Sequence, residues 1–340
     1  MNEMKKMTKA FPFFLLTALL ITGCLKDPPL NPEPGLPDLQ IDSLKILPAV
    51  IPAAEYTDMC FVTGQTGFAV SGEGDIIRTT DSGLHWINLP YQAHAYLHRI
   101  QFVNGSTGFI IGGADTLPSG FLLKTTDAGL SWQRIVLNTP VSGAPAALYF
   151  LDANTGFIAG KQFLRRTTDG GNTWTDIPGT GAEDFTDVKF MDNLKGYATA
   201  RSGRYYKTTN GGNSWQPAQI ITSIQLGEIV AAPSKMFVRV GTSTLADLET
   251  GQHAFIFPSN VFRMLFLSES AALGIGQHYE MGFWPYGDIL ITNSRWATSK
   301  AKRFEPGQAV NFRAIAKATE HKLVMLGTGL LQTTVVQLKY

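Results

Sequence analysis

The sequence predicts an all-β protein, a seven-bladed β-propeller of four-stranded antiparallel blades that is closed by the N-terminal strand. Three observations support this prediction. The eight residues from Thr167 to Trp174 recur in varied form four times, and the motif tryptophans follow one another at steps of 46, 42 and 41 residues. A period near 40 residues is typical of stacked supersecondary units. An apolar hairpin precedes every copy, and the 34 glycines suit a turn-rich β protein.

The recurring motif is Thr-x-Asp/Asn-x-Gly-x-x-Trp, and its residue types suit a tight turn at a strand end. The Asp or Asn side chain accepts backbone hydrogen bonds, the glycine permits positive φ, and the tryptophan provides a large flat surface to pack between blades. Because asparagine cannot act as a general acid, the fourth copy favours a structural role over catalysis. The defining residues are Asp81, Gly83, Trp86, Asp127, Gly129, Trp132, Asp169, Gly171, Trp174, Asn210, Gly212 and Trp215.

Each motif turn separates the third strand of a blade from the fourth, and the preceding hairpin supplies the first two strands. The pattern continues with less regular turns to the C-terminus, and the last unit lacks a fourth strand. Residues 44–48 resemble the start of a fourth strand, so we expect them to complete the last blade and remove its exposed edge. Residues 41–340 divide into seven units of about 43 residues.

The N-terminus is expected to target the protein to a bacterial envelope. A lysine-rich start and a short apolar run from Phe11 to Ile21 end at Gly23-Cys24. This resembles a lipoprotein signal, which implies cleavage after residue 23 and a lipid on Cys24; an ordinary secretory signal is the alternative. Residues 24–41 are proline-rich and predict an extended tether. The boundaries are therefore 1–23 signal peptide, 24–41 tether and 42–340 propeller. The resemblance implies an outer-membrane location, either periplasmic or surface-exposed.

Composition narrows the partners of the protein. With 28 basic and 27 acidic residues, the formal net charge is +1, which gives no basis for nucleic-acid binding.

Cys60 lies in an apolar run and is interpreted as a buried small hydrophobe. No cofactor is predicted. His94 and His98 are four residues apart, but the surrounding residues do not predict a helix or a third ligand, so no metal site is expected either.

The motif resembles the Asp-box, or BNR repeat, of sialidases, sortilins and related propellers. Together with the paired hairpin, it is most similar to the photosystem II stability and assembly factor family and its bacterial relatives. The resemblance is strong over residues 55–222 and weak beyond them. It implies a ligand site on the face away from the boxes, formed by the loops 91–98, 114–119, 139–144, 179–184 and 277–287.

Two groups of residues are candidates for binding a partner. Aromatic residues on the loops away from the boxes can anchor a protein or stack on a sugar, although the longest loop can also fold over its own cluster. These candidates are His278, Tyr279, Phe283, Trp284, Tyr286, Tyr91 and Tyr96. A cation precedes each Thr-Thr pair, and a basic arc of Arg78, Lys124, Arg166 and Lys207 is the second candidate; ion pairing between blades or simple solvation is the alternative.

The sequence favours a non-enzymatic protein-binding or assembly module that reaches the membrane only through its lipid anchor. The alternative is a glycan-binding or glycan-hydrolysing, sialidase-like propeller. A sialidase resemblance implies an Arg-Ile-Pro motif near the first blade, and the sequence has none. Carboxylates such as Glu183 and Asp184 leave a two-carboxylate glycosidase open, because their spacing depends on the fold.

Overall fold

The computed structural model describes one part of the chain. The described ranges are 43–47, 54–113, 120–138, 145–181, 183–218, 224–242, 244–256, 260–268, 272–278, 286–293, 298–303, 311–319, 322–328 and 333–339. Residues Pro37–Tyr340 form one compact unit that contains all of these ranges. The predicted signal peptide, Cys24 and the tether lie outside the described residues.

The described residues form 28 strands in seven four-stranded sheets, which we number as blades 1–7. Blades 1–3 contain β2(Tyr56–Phe61), β3(Gly67–Ser71), β4(Asp75–Thr79), β5(Ile87–Gln92); β6(Tyr96–Phe102), β7(Gly108–Gly113), β8(Phe121–Thr125), β9(Gln133–Val136); and β10(Ala147–Phe150), β11(Gly156–Gly160), β12(Phe163–Thr167), β13(Thr175–Asp176). Blades 4 and 5 contain β14(Phe185–Phe190), β15(Gly196–Ala200), β16(Tyr205–Thr208), β17(Gln216–Pro217); and β18(Leu226–Ala231), β19(Met236–Val240), β20(Thr244–Asp247), β21(His253–Ile256). Blades 6 and 7 contain β22(Asn260–Phe266), β23(Ala272–His278), β24(Tyr286–Asn293), β25(Thr298–Arg303); and β26(Asn311–Thr319), β27(Lys322–Thr328), β28(Thr333–Lys339) with β1(Ser43–Leu47).

The N-terminal strand completes the last blade, as the sequence predicts. Strand β1 pairs antiparallel with β28, from Ser43 opposite Lys339 to Leu47 opposite Val335. The first strand of every blade lies next to the first strands of its two neighbours, and β26 of blade 7 lies next to β2 of blade 1. The sheets therefore form a closed ring, and their first strands surround its axis.

The hydrophobic core consists of layers between successive blades. The second strand of a blade is fully buried in blades 1–4, as in the all-buried pattern of β3, β7, β11 and β15. A strand buried on both faces is apolar throughout rather than alternating. The cluster between blades 7 and 1 contains Trp86 with Val324 and Leu326, so a motif tryptophan of one blade packs against the blade before it.

A β-bulge interrupts the pairing of the first two strands near the axis. It occurs in six blades, at Tyr56/Asp58, Leu97/Arg99, Phe185/Asp187, Leu226/Ile229, Val261/Arg263 and Phe312/Ala314. A bulge adds one residue to a strand and re-aims the local side chains. The bulge therefore determines which side chains reach the centre of the ring.

Candidate functional site

The Asp-box turns are structural elements that hold the fourth strand to the third. In blade 3, Thr167 Oγ1 donates to Asp169 Oδ1 at 2.7 Å and accepts from the amide of Gly171 at 3.0 Å. Asp169 Oδ1 also accepts from the amide of Thr173 at 2.9 Å. Gly171 has φ of +90°, which a glycine adopts without strain. The same bonds form in the other three boxes, including the one in which Asn210 replaces the aspartate.

The box carboxylates are held in their charged form. Hydrogen bonds from the Ser131 hydroxyl and amide lower the pKa of Asp127 to about 2, and the Thr173 hydroxyl and amide lower that of Asp169 to about 2. A carboxylate with such a low pKa is a poor proton donor near neutral pH. The geometry thus favours the structural role that Asn210 indicates.

The box tryptophans pack at the interfaces between neighbouring blades. The side chain of Trp215 in blade 4 lies with its ring centroid 6.0 Å from that of Phe157 in blade 3. Its indole N–H donates to the carbonyl of Gly212 at 3.2 Å, and Trp174 bonds Gly171 in the same way at 3.0 Å. In Trp86 and Trp132 the buried indole nitrogen has no partner among the described residues.

The cations of the predicted basic arc contact neighbouring groups of the propeller. Lys124 of blade 2 donates to the carbonyl of Gly170 in the blade 3 box at 3.0 Å, and Lys207 of blade 4 lies 2.6 Å from the Glu249 carboxylate of blade 5. Arg78 lies over the Phe68 ring at 5.7 Å, while Arg166 has a buried Nε without a partner in the described ranges. Bonding between blades thus accounts for both lysines, and a partner-binding arc stays a prediction.

All four boxes lie on one face of the ring, which we call the box face. The box turn of each blade bonds the turn between its first and second strands, as in the bond from the Gly170 amide to the Asn154 carbonyl at 2.8 Å. The other three bonds join Ser82 to Gln65, Ala128 to Ser106 and Gly211 to Leu194. Loops between second and third strands, and between blades, therefore lie on the opposite face.

That opposite face contains an axial cavity of about 560 Å³. One residue from the first strand, or the segment just before it, reaches the cavity from every blade. In six blades it is a residue that the bulge leaves unpaired, and in blade 3 it lies directly before β10. These seven residues are Thr57, His98, Ala146, Thr186, Gly227, Phe262 and Arg313. A cavity to which all seven blades contribute lies on the axis of the ring. We call this side the cavity face.

Positive charge dominates the axial cavity. Six cationic and three acidic side chains line it, a formal excess of three positive charges with His98 neutral. The cations are Arg99, Lys161, Arg201, Arg239, Arg263 and Arg313, and the acids are Glu55, Asp184 and Glu228. A concave site lined by one sign of charge concentrates its field and attracts ligands of the opposite sign.

The deepest charges form a buried network. Arg263 Nη1 donates to Glu228 Oε1 at 3.0 Å, and both side chains are about 15% exposed. Burial acts to raise the pKa of Glu228, but the guanidinium groups of Arg263 and Arg99 outweigh it and bring the pKa down to about 2. Behind them, Asp187 accepts from the Ile229 amide at 2.7 Å. Burial raises the pKa of Asp187. Glu228 is thus held as an anion in the network.

Apolar and aromatic side chains accompany the charges on the cavity face. Tyr96 is 40% exposed, and its ring centroid lies 4.6 Å from that of His98. Ile224, just before β18, is 52% exposed. It lies next to Gly241, which is in the turn between β19 and β20. Arg313 lies over the ring of Phe262 at 4.3 Å. Aromatic residues and arginine are enriched in protein-binding surfaces relative to the rest of a protein surface.

The structure brings only some of the sequence-predicted residues to the cavity. Tyr96 lines it, and Tyr91 lies in a separate groove with His94 at the outer edge of blade 1. His278 and Tyr286 pair with each other at the ends of β23 and β24. Tyr279, Phe283 and Trp284 lie outside the described residues.

Two findings concern membranes and metals. No helix among the described residues has the length and apolarity that crossing a bilayer requires. Within the same ranges, no three or more His, Cys, Asp or Glu side chains are grouped to hold a metal ion.

Sequence reasoning missed the charged residues at and opposite the bulges. Arg99, Glu228 and Arg263 each directly follow the cavity-lining residue of the first strand in blades 2, 5 and 6, and Arg239 lies on the strand opposite the bulge of blade 5. The available signal was a charged residue near the start of the first strand in several repeats. This signal can be interpreted only when the bulge is known, because the bulge shifts the inward and outward alternation of the strand by one residue.

The fold and the site define an Asp-box β-propeller with a basic axial cavity. Residues 47–178, which are less than half of the chain, match the family model of the photosynthesis system II assembly factor YCF48. A curated photosystem II assembly lipoprotein, Ycf48 of Synechococcus sp. (strain CC9902), is 28% identical over 182 residues, covering 52% of this chain and 53% of that protein. The match thus spans about half the length of the relative. The chain is an assembly factor-like Asp-box propeller.

Solved structures show the same fold over nearly the whole chain. "YCF48 bound to D1 peptide" is similar with a TM-score of 0.67 and 18% identity, covering 90% of this chain and 99% of that one. YCF48 from Cyanidioschyzon merolae gives a TM-score of 0.63 at 15% identity, covering 87% and 98%. A streptogramin B lyase gives 0.65 at 12% identity, covering 87% and 98%. At these identities the similarity concerns the fold alone.

Proposed function

We propose that this protein is a lipid-anchored module of the bacterial envelope that binds a segment of a partner protein on its cavity face and carries out no chemistry. The observation that carries this proposal is the axial cavity, with its excess of three positive charges and its exposed Tyr96. Such a surface fits an acidic peptide segment with apolar side chains, because charge steers the encounter and aromatic groups provide contact area.

Two features of the relatives support the proposal. The curated relative is named an assembly lipoprotein, and one similar structure is a propeller bound to a peptide. Lipid attachment at Cys24, cleavage after residue 23 and an outer-membrane location follow from the sequence of the N-terminus and belong to the same proposal. Glycan binding by the 277–287 loop is the alternative, and residues 279–285 of that loop lie outside the described residues.

The proposal is tested by the affinity of an envelope protein that copurifies with the full-length chain. Lys161 and Arg201 line the cavity and form no ion pair with a described residue. Replacing both with glutamine should weaken binding of that protein at least tenfold and reduce the salt dependence. Arg134→Gln is the matched control, because Arg134 lies over the Phe121 ring at the outer edge of blade 2. Equal affinity of the cavity variant and the control would overturn the proposal, and saturable binding to a glycan array would favour the alternative.

A further inference from the structure

Two arginines of the buried network retain donors for a ligand. We call the part of the axial cavity that is lined by Arg99, Arg239, Arg263 and Glu228 its floor. Arg239 makes a single hydrogen bond to the described residues, from Nη1 to the carbonyl of Gly241 at 3.1 Å. The side chain of Arg99 makes no hydrogen bond or ion pair with them. Each guanidinium has five N–H donors in a fixed planar fork. Arg263, by contrast, is bonded to both Glu228 and the Thr57 carbonyl, so it already has partners.

Cations outnumber acids on the floor of the cavity. Arg99, Arg239 and Arg263 line it together with a single acid, Glu228. The neighbouring Asp58 and Asp187 also interact with these arginines, and Lys189 adds a fourth cation. Desolvation and the nearby Arg263 and Arg99 lower the pKa of Arg239, while Glu228 counteracts them in part. Cations crowded into a half-buried site are costly unless an anion joins them.

Gly227 is shaped to receive the guanidinium of Arg239. It lies directly before the bulge residue Glu228, where a Cβ would meet Nη2 of Arg239 at 2.9 Å and its Cζ at 3.1 Å. The other six blades carry a side chain at this position. The missing Cβ therefore lets Arg239 lie flat against the backbone of blade 5, with one edge available to the cavity.

From this geometry we infer that Arg99 and Arg239 form a subsite for one carboxylate group at the floor of the axial cavity. A planar carboxylate matches the planar fork of a guanidinium and forms charge-assisted bonds with it. Its single negative charge offsets part of the excess on the floor. The inference deepens the proposed function, on which it rests for the partner: the carboxylate comes from that protein, at its chain terminus or on an acidic side chain.

Small probes test the subsite without the partner. The full-length protein is titrated by calorimetry with N-acetylglycine, a mimic of a chain terminus, and with N-acetylaspartic acid α-amide, a mimic of an acidic side chain. N-acetylglycinamide is the neutral control, and all titrations are made at constant ionic strength. We expect saturable one-to-one binding of at least one acid and none of the amide; the tighter acid identifies the source of the carboxylate.

Variants locate the subsite. Arg99→Gln and Arg239→Gln should each weaken binding of the acid at least tenfold, which corresponds to about 1.4 kcal/mol. Gly227→Ala should also weaken this binding, because it displaces Arg239 while both arginines remain. Arg204→Gln is the matched control, since Arg204 lies on the same face paired with Glu183 at 3.2 Å. Thermal unfolding confirms that each variant is folded.

Three results would overturn the inference: equal binding of the acid and the amide, no saturable binding of either acid, or unchanged acid affinity in folded Arg99 and Arg239 variants. These outcomes are independent of the proposed function, which depends on Lys161, Arg201 and the copurifying protein. If the partner binds and the acids do not, the carboxylate subsite is wrong and the protein-binding function stands. If the acids bind and no partner does, the carboxylate subsite stands and the protein-binding function is wrong.

Discussion

Arg263 of blade 6 donates a hydrogen bond from Nη2 to the backbone carbonyl of Thr57 in blade 1, at 2.9 Å. The bond passes over blade 7, whose residue at the equivalent register position is the small Ala314. The same guanidinium is paired with Glu228 of blade 5. One side chain thus joins three blades at the floor of the axial cavity and supports the proposed binding surface from below.

This connection predicts a strong coupling between Arg263 and Glu228. Arg263→Met leaves the largely buried Glu228 carboxylate without its partner and should cost about 3 kcal/mol of unfolding free energy. The double variant Arg263→Met with Glu228→Gln should cost less than the single Arg263 change, because no buried carboxylate is left without its hydrogen-bond donor. Urea unfolding of the four members of the cycle measures the coupling. Additive effects would contradict it.

The box glycines predict a contrast between two superficially similar substitutions. Gly129 has φ of +78°, and a Cβ on it would lie 2.6 Å from the ring of Phe68 in the preceding blade. Gly129→Ala should therefore destabilise the protein by about 1–3 kcal/mol through backbone strain and overpacking. Gly105 is the control, because a Cβ there meets no atom within 4 Å. Thermal unfolding that shows equal stability of the two variants would contradict the packing of the box between blades.

The box carboxylates predict a component of acid sensitivity. The pKa of Asp169 is about 2 in the folded protein against 3.8 for the unperturbed group. A lowered folded pKa adds stability above the unfolded value, and this stability is lost as the pH falls from about 4 to 2. Asp169→Asn keeps the acceptor that Asn210 provides in blade 4 and removes the charge.

The test of this pH dependence is the urea midpoint between pH 6 and pH 3. The wild type should exceed Asp169→Asn at pH 6, and the difference should shrink as the pH falls. Asn210→Asp is the matched reverse change and should show the opposite trend. A difference that is constant or grows toward pH 3 would show that the hydroxyl and amide of Thr173 do not stabilise the charged form.

The repeat predicted the ring because its signal is local. Each box contains the residues that form its own turn. The roles that the sequence predicted for residues such as Trp215 and Gly129, packing between blades and permitting positive φ, are the roles they have in the structure. The closure by β1 was also predictable, since the last repeat lacked a strand and residues 44–48 resembled one. The box turns depend on residues within a few positions of one another, whereas the closure followed from the number of strands in the last repeat.

The cavity could be predicted only in outline. The resemblance indicated the face away from the boxes, and Tyr96 does line the cavity. The arginines were missed because Arg99 and Arg263 lie within ordinary first strands, β6 and β22, and only the bulge places them near the axis. Arg239 was missed because its position depends on Gly227, a contact across two strands that no motif marks.

The most direct test of the proposed function is photo-crosslinking from both faces of the ring. A photoreactive phenylalanine derivative replaces Tyr96 on the cavity face or, as the control, Leu130 in the blade 2 box, which is 69% exposed. We expect the copurifying envelope protein to be crosslinked from position 96 and not from position 130. Crosslinking from position 130 and not from position 96 would contradict the proposed function.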